Sequence, residues 1–144
     1  MQGFPHTYVA SAAGSTMGQL TVTGDGLPDL STAPPAEFDG PGDQWSPETL
    51  LMSSLASCFV LSFRAVAAAS KFEWISIDCQ SSGVLDRVEK VTRFTGVTHH
   101  VGLLVNHEAD AELAEKLLHK AESVCLISNS LAAEVHLEID ITVK

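Results

Sequence analysis

The sequence predicts an α+β fold, with a mainly antiparallel sheet, a long central helix and a second helix. Three observations predict it. Strand-like alternation recurs in Phe72–Leu85, Phe94–Val105 and Glu134–Val143; a nearly all-apolar helical run follows Ser46-Pro47-Glu48; and a second helical spacing follows Asp110. Strands and helices segregate without regular βαβ units, which favours α+β over α/β. With 144 residues, 45% of them hydrophobic, the chain has the size of one domain, residues 1–144, with its own core.

The elements follow in order. Tyr8 to Val22 is rich in small and β-branched residues and runs into Gly24-Asp25-Gly26-Leu27-Pro28, turn chemistry that suggests one or two short strands in a hairpin. Ala33 to Gln44 holds most of the prolines and reads as an irregular surface loop. Ser46-Pro47-Glu48 then starts a helix: a hydroxyl at the N-cap, a proline where its missing N–H costs nothing, and an acid at the positive helix end. This helix should run to about Ala69. It is apolar on nearly every side, with Leu51, Leu55, Cys58 and Ser62 on one stripe and Leu50, Ser54 and Leu61 on another, which implies burial in the domain centre or at a dimer contact.

Ile75, Ile77 and Cys79 share one face of the next strand, and Val97, His99, Val101, Leu103 and Val105 share one face of the strand after it. Asp86 to Lys90 has the polarity and length of a hairpin connection between them. Asp110 caps the second helix, where Leu113, Leu117, Ala121 and Val124 recur at helical spacing, and Val135, Leu137, Ile139 and Ile141 alternate along the last strand.

Charge narrows the function. A net charge of −10, from 18 acidic against 8 basic residues, argues against nucleic-acid or anionic-membrane partners, which need clustered Lys and Arg. No Lys or Arg precedes Arg64. Met1 to Gly14 lacks the basic and apolar regions of a signal peptide, and no stretch of the roughly 18 apolar residues of a membrane span is expected, so the reading is cytoplasmic with no membrane partner. Three cysteines are too few for a secreted disulfide scaffold and suit a reducing compartment with two working thiols.

Those two thiols are Cys58, inside the long helix, and Cys125, after the second helix in Ala121-Glu122-Ser123-Val124-Cys125-Leu126-Ile127-Ser128-Asn129-Ser130. Thiols on separate elements can form a bond that is made and broken during a reaction, which points to redox chemistry. Cys79, between Ile77 and Gln80, reads as a core residue. His99 and His100 face opposite ways on a strand and read as surface or cross-strand residues; His6, His107, His119 and His136 show no ligand spacing, so neither metal nor other cofactor is expected. Phe38, Trp45, Met52 and Phe59 are candidates for an apolar substrate pocket or for the core.

Trp45-Ser46-Pro47-Glu48-Thr49-Leu50-Leu51 leading into Ala56-Ser57-Cys58-Phe59, then Leu85-Asp86-Arg87 with Arg93-Phe94, then the Cys125 segment, resembles the OsmC/Ohr family of osmotically induced and organic hydroperoxide resistance proteins. The resemblance spans roughly Pro34 to Lys144. It implies an intertwined homodimer with the active site at the dimer interface and the activity of a two-cysteine thiol peroxidase. Cys58 matches the peroxidatic thiol, Cys125 the resolving thiol and Glu48 the acid of the Pro-Glu motif. The partners implied are an organic hydroperoxide and a dithiol reductant. The family also uses an arginine from its N-terminal strands, and this chain has none there.

The chemistry sets a requirement. Only a thiolate attacks an O–O bond usefully, and an ordinary cysteine is only a few per cent ionised at neutral pH. If no cation reaches Cys58, its pKa in an apolar helix should rise. A second reading then applies, in which the fold has lost catalysis and binds a small apolar molecule or a partner protein. Arg64 lies about 240° round the helix from Cys58, while Arg87 and Arg93 sit near the strand hairpin. Glu48 precedes Cys58 by ten positions, or about 15 Å along a straight helix, so either a partner subunit supplies it or the helix breaks between them.

Overall fold

Every element predicted after Trp45 is present in the computed structural model, which describes all residues from Met1 to Lys144. The chain forms two compact units, Met1–Leu50 and Leu51–Lys144.

The first unit carries a meander of β1 (Ser11–Ala13), β2 (Leu20–Thr23) and β3 (Leu30–Thr32), antiparallel and in that order, one strand more than the sequence suggested. Gly24 to Leu27 makes the turn between β2 and β3: the Leu27 N–H donates to the Gly24 carbonyl at 3.0 Å, and Gly26 takes the left-handed φ of 70° that glycine allows. Most of the strand residues are exposed, with Val22 and Leu30 half-buried and Thr32 buried. The proline-rich loop contains one 3₁₀ turn, Ala36–Phe38, and its ends are drawn together by a bridge between Thr32 and Trp45 and by the Ala33 N–H donating to the Trp45 carbonyl at 2.9 Å.

Helix α1 runs unbroken over Pro47–Ala69. Its start is a reciprocal cap in which the Thr49 N–H donates to Ser46 Oγ at 3.1 Å and the Ser46 N–H donates to Thr49 Oγ1 at 2.9 Å. Thr49 therefore fills the place of the acid in a capping box, and Glu48 is left free for other work.

In the second unit, β4 (Ser76–Val88), β5 (Val91–Val105) and β6 (Glu134–Val143) form a sheet in the order β4-β5-β6. The β4–β5 hairpin turns on Glu89 and Lys90 alone, at φ 51° and 68°, so the strands extend through most of the polar stretch assigned to the connection. β5 and β6 are parallel, joined by α2 (Ala111–Val124) and the short α3 (Leu126–Asn129), a single βαβ crossover that the sequence reading did not anticipate.

The alternation sorts the sheet as predicted. Val97, His99, Val101, Leu103 and Val105 are all buried, and this face meets Phe59, Phe63 and Ala67 of α1 with Ala114, Leu117, Leu118 and Ala121 of α2. Each fully buried Phe or Leu contributes about 1.5–3 kcal/mol of transfer free energy. The opposite face is polar, with a His100–Glu138 pair at 2.9 Å.

Both helices depart from their predicted stripes. The buried face of α2 is Ala114/Leu117/Leu118/Ala121, while Leu113 and Val124 are exposed, and Asp110 occupies the N-cap position without a side-chain capping bond because a 3₁₀ turn, Glu108–Asp110, leads straight into the helix. On α1 the buried residues are Leu55, Phe59, Phe63 and Ala67, and Leu61 is 58% exposed. By length and composition Pro47–Ala69 could also cross a membrane, contrary to the expectation that no segment could; here its buried stripe packs on a sheet, as a core helix of a globular unit does.

Candidate functional site

Cys125 lies where α2 ends and α3 begins. It caps both helices, with extended backbone (φ −67°, ψ 107°), its N–H donating to the Glu122 carbonyl at 3.2 Å and its carbonyl accepting from the Asn129 N–H at 3.0 Å. Its side chain is fully buried. Cys58, on α1, is partly exposed; both thiols are reduced, and each lies close enough to the other to shift its pKa. The fold thus brings together the two cysteines singled out from the sequence.

Their surroundings move the two thiols in opposite directions. Burial pushes Cys58 up, but donors outweigh it: the Ile127 N–H, the Cys125 S–H, the Ser62 hydroxyl at 4.0 Å and the Leu126 N–H hold its pKa below the ordinary 9.0. Burial also pushes Cys125 up, and although the Ser128 hydroxyl and N–H oppose it, the adjacent Cys58 adds to the rise. The site thus favours one thiolate, Cys58, beside one thiol, Cys125.

This corrects the sequence argument that without a cation the Cys58 pKa should rise. Arg64, Arg87 and Arg93 are all exposed and none makes an ion pair. The stabilising groups are the Ile127 and Leu126 N–H donors of the first turn of α3 together with the Cys125 thiol and the Ser62 hydroxyl, an arrangement that composition cannot reveal.

Glu48 lies in the first turn of α1, and one of its carboxylate oxygens, Oε2, is buried without a hydrogen-bond partner. Because α1 is unbroken, the option of a helix break between Glu48 and Cys58 is removed, and ten residues separate them by about 15 Å along the axis. Of the four candidate pocket residues, Phe59 is core, fully buried, and the Met52 thioether packs against Gly83, where an added Cβ would lie 2.9 Å from its sulfur. Phe38 and Trp45 are about half exposed.

A second polar cluster lies inside the same unit. His99 is fully buried rather than at the surface; its Nδ1 is hydrogen-bonded to Ser81 Oγ at 2.7 Å and its Nε2 lies 3.3 Å from Glu122 Oε2, an ion-pair distance. Cys79 Sγ is 3.9 Å from Ser81 Oγ. Burial opposes charge on His99, yet the Cys79 thiol and the Glu122 carboxylate raise its pKa from 6.5 to about 9. The sequence carried a signal for this cluster, since His99 falls on the inward stripe of β5 and a buried imidazole needs a partner. Glu122, in the Cys125 segment, is that partner. No group of three His, Cys, Asp or Glu side chains is placed to hold a metal ion.

Comparison with known proteins agrees with the geometry. Residues 40–140 match the family described as OsmC-like protein. The chain is similar to the uncharacterized protein YmaD of Bacillus subtilis, 31% identical over 113 residues that cover 76% of this chain and 75% of that protein. It is also similar to the organic hydroperoxide resistance protein of Xanthomonas axonopodis pv. citri, 31% identical over 134 residues, or 90% and 89% of the two chains. The structure of an organic hydroperoxide resistance protein OsmC from Legionella pneumophila superposes with a TM-score of 0.76 at 30% identity, covering 98% of this chain and all of that one. The pair of thiols joining α1 to the α2–α3 junction and the matching fold lead to one conclusion: this chain belongs to the OsmC-like family.

Proposed function

We propose that the protein reduces organic hydroperoxides to alcohols by two-cysteine chemistry. The observation that carries this reading is the asymmetry of the thiols: Cys58 is partly exposed with its pKa lowered, and Cys125 is buried with its pKa raised. Relatives named organic hydroperoxide resistance proteins support it.

The Cys58 thiolate attacks the terminal oxygen of the hydroperoxide, the O–O bond breaks, and the alkoxide takes a proton and leaves as the alcohol. Cys58 is then a sulfenic acid. The Cys125 sulfur displaces its hydroxyl as water, giving a Cys58–Cys125 disulfide and sparing Cys58 from irreversible oxidation. A dithiol reductant returns both to thiols. The chemistry needs no cofactor.

The functional form is a homodimer, with residues 1–144 of each chain acting as one domain. Two features support this: α1 carries apolar side chains far beyond its buried stripe, Leu61 among them, and a three-stranded sheet as exposed as β1–β3 is marginal by itself. In that dimer the partner's Glu48 serves Cys58. The compartment is the cytoplasm.

The test adds one equivalent of cumene hydroperoxide to the reduced protein and follows intact mass and free thiols. Loss of two thiols, abolished by Cys58→Ser, is expected. Unchanged thiols over minutes would overturn the reading in favour of a non-catalytic binding protein. For the shared site, mixed dimers of Glu48→Ala and Cys58→Ser chains should regain activity, and failure in every pairing would contradict it.

A further inference from the structure

The buried His99–Glu122 pair has no part in the thiol chemistry described above, yet it touches the neighbour of each working cysteine. The imidazole stands 5.2 Å, centroid to centroid, from the ring of Phe59, which follows Cys58 on α1. Its Nε2 faces the Glu122 carboxylate at 3.3 Å, and the Glu122 carbonyl accepts the Cys125 N–H at 3.2 Å. Ser81 on β4 fixes the other ring nitrogen at 2.7 Å. From one position on the central strand, His99 thus reaches α1, the end of α2 and β4.

We infer that His99 and Glu122 are positioning residues, a clamp that holds the Cys58 and Cys125 segments in the register where their disulfide forms; the inference rests on the two-cysteine reading. A disulfide tolerates little error, with Cβ atoms about 3.5–4.5 Å apart and a torsion near 90°. A displacement of 1 Å between reacting groups can cost orders of magnitude in rate. Stability alone does not explain the pair, because an apolar replacement of a buried ion pair is often as stable. Fixing register is the best-attested use of such pairs. The groups facing His99 agree with a clamp: Glu122 from α2, Cys79 and Ser81 from β4, and only apolar Phe59 from α1 and Leu137 from β6.

The test uses the full chain in glutathione redox buffers, quenched by thiol trapping, so that no peroxide is needed. Glu122→Gln and His99→Gln should each lower the equilibrium constant for the Cys58–Cys125 disulfide by about tenfold. The double variant, whose two amides can bond to each other, should lose less than the two single losses combined. A purely structural role would lower the melting temperature and leave that constant within about twofold of wild type, with additive effects, and this would overturn the clamp. Should His99→Gln fail to fold, Glu122→Gln decides alone, since that side chain is 18% exposed. A wild-type protein that forms the disulfide in glutathione but ignores hydroperoxide would contradict the peroxidase reading and leave the clamp standing. Failure of the wild type to form the disulfide would overturn both.

Discussion

Cys58 and Cys125 are the same residue type, adjacent in space, and both partly or wholly buried, yet their environments drive them apart. Burial alone would keep both as thiols. What separates them is the balance of donors: the Ile127 and Leu126 N–H groups, the Ser62 hydroxyl and the Cys125 thiol outweigh burial at Cys58, whereas the Ser128 hydroxyl and N–H do not outweigh burial and the adjacent Cys58 at Cys125. Backbone N–H, hydroxyl and thiol donors can therefore lower a thiol's pKa with no arginine paired to it, and on the proposed mechanism the same asymmetry separates the attacking from the resolving thiol.

Removing the more acidic thiol should have the largest effect. Cys58→Ser is expected to lower hydroperoxide consumption by about 10³-fold or more, measured as residual peroxide against time, because the nucleophile is gone while binding remains. The same change at Cys125 should be milder and different in kind. Cys125→Ser should still lose its Cys58 thiol in one turnover but form no disulfide, and mass spectrometry should show Cys58 gaining two or three oxygens under excess hydroperoxide.

A smaller effect concerns stability. Because the folded pKa of His99 is raised, its charge stabilises the protein fully below its ordinary 6.5 and is lost as pH rises through about 9. Melting temperature should fall between these values in the wild type, and the fall should be shallower in Glu122→Gln. Smallest is Leu126→Pro, which removes one N–H at the first position of α3, where proline fits and the preceding Cys125 is already extended. Leu126 is the weakest of the donors to Cys58, so alkylation of Cys58 at pH 7 should slow by about threefold or less.

The sequence disclosed most of the frame because alternation and capping are local. The inward stripe Val97–Val105 and the Ser46-Pro47 helix start were both readable from residue spacing. Direction of pairing was not: nothing in Glu134–Val143 says whether β6 runs parallel or antiparallel to β5, since the alternation is identical in both. The stripe of α1 was obscured because apolar residues occur on nearly every side of it, so hydrophobicity could not choose Phe59 over Cys58 as the core residue. At the site, the cysteines, as chemically distinctive side chains, stood out. The Ile127 and Leu126 N–H groups that lower the Cys58 pKa did not, because backbone donors carry no sequence signature.

The most direct test of this account is the rate at which iodoacetamide alkylates each cysteine of the reduced protein as a function of pH, read peptide by peptide. For a thiol, reactivity rises as pH rises through its pKa. The account predicts that Cys58 reaches half its maximal rate below pH 9.0 and Cys125 above it, so that Cys58 is modified first at neutral pH. A Cys58 inflection at or above that of Cys125 would contradict it.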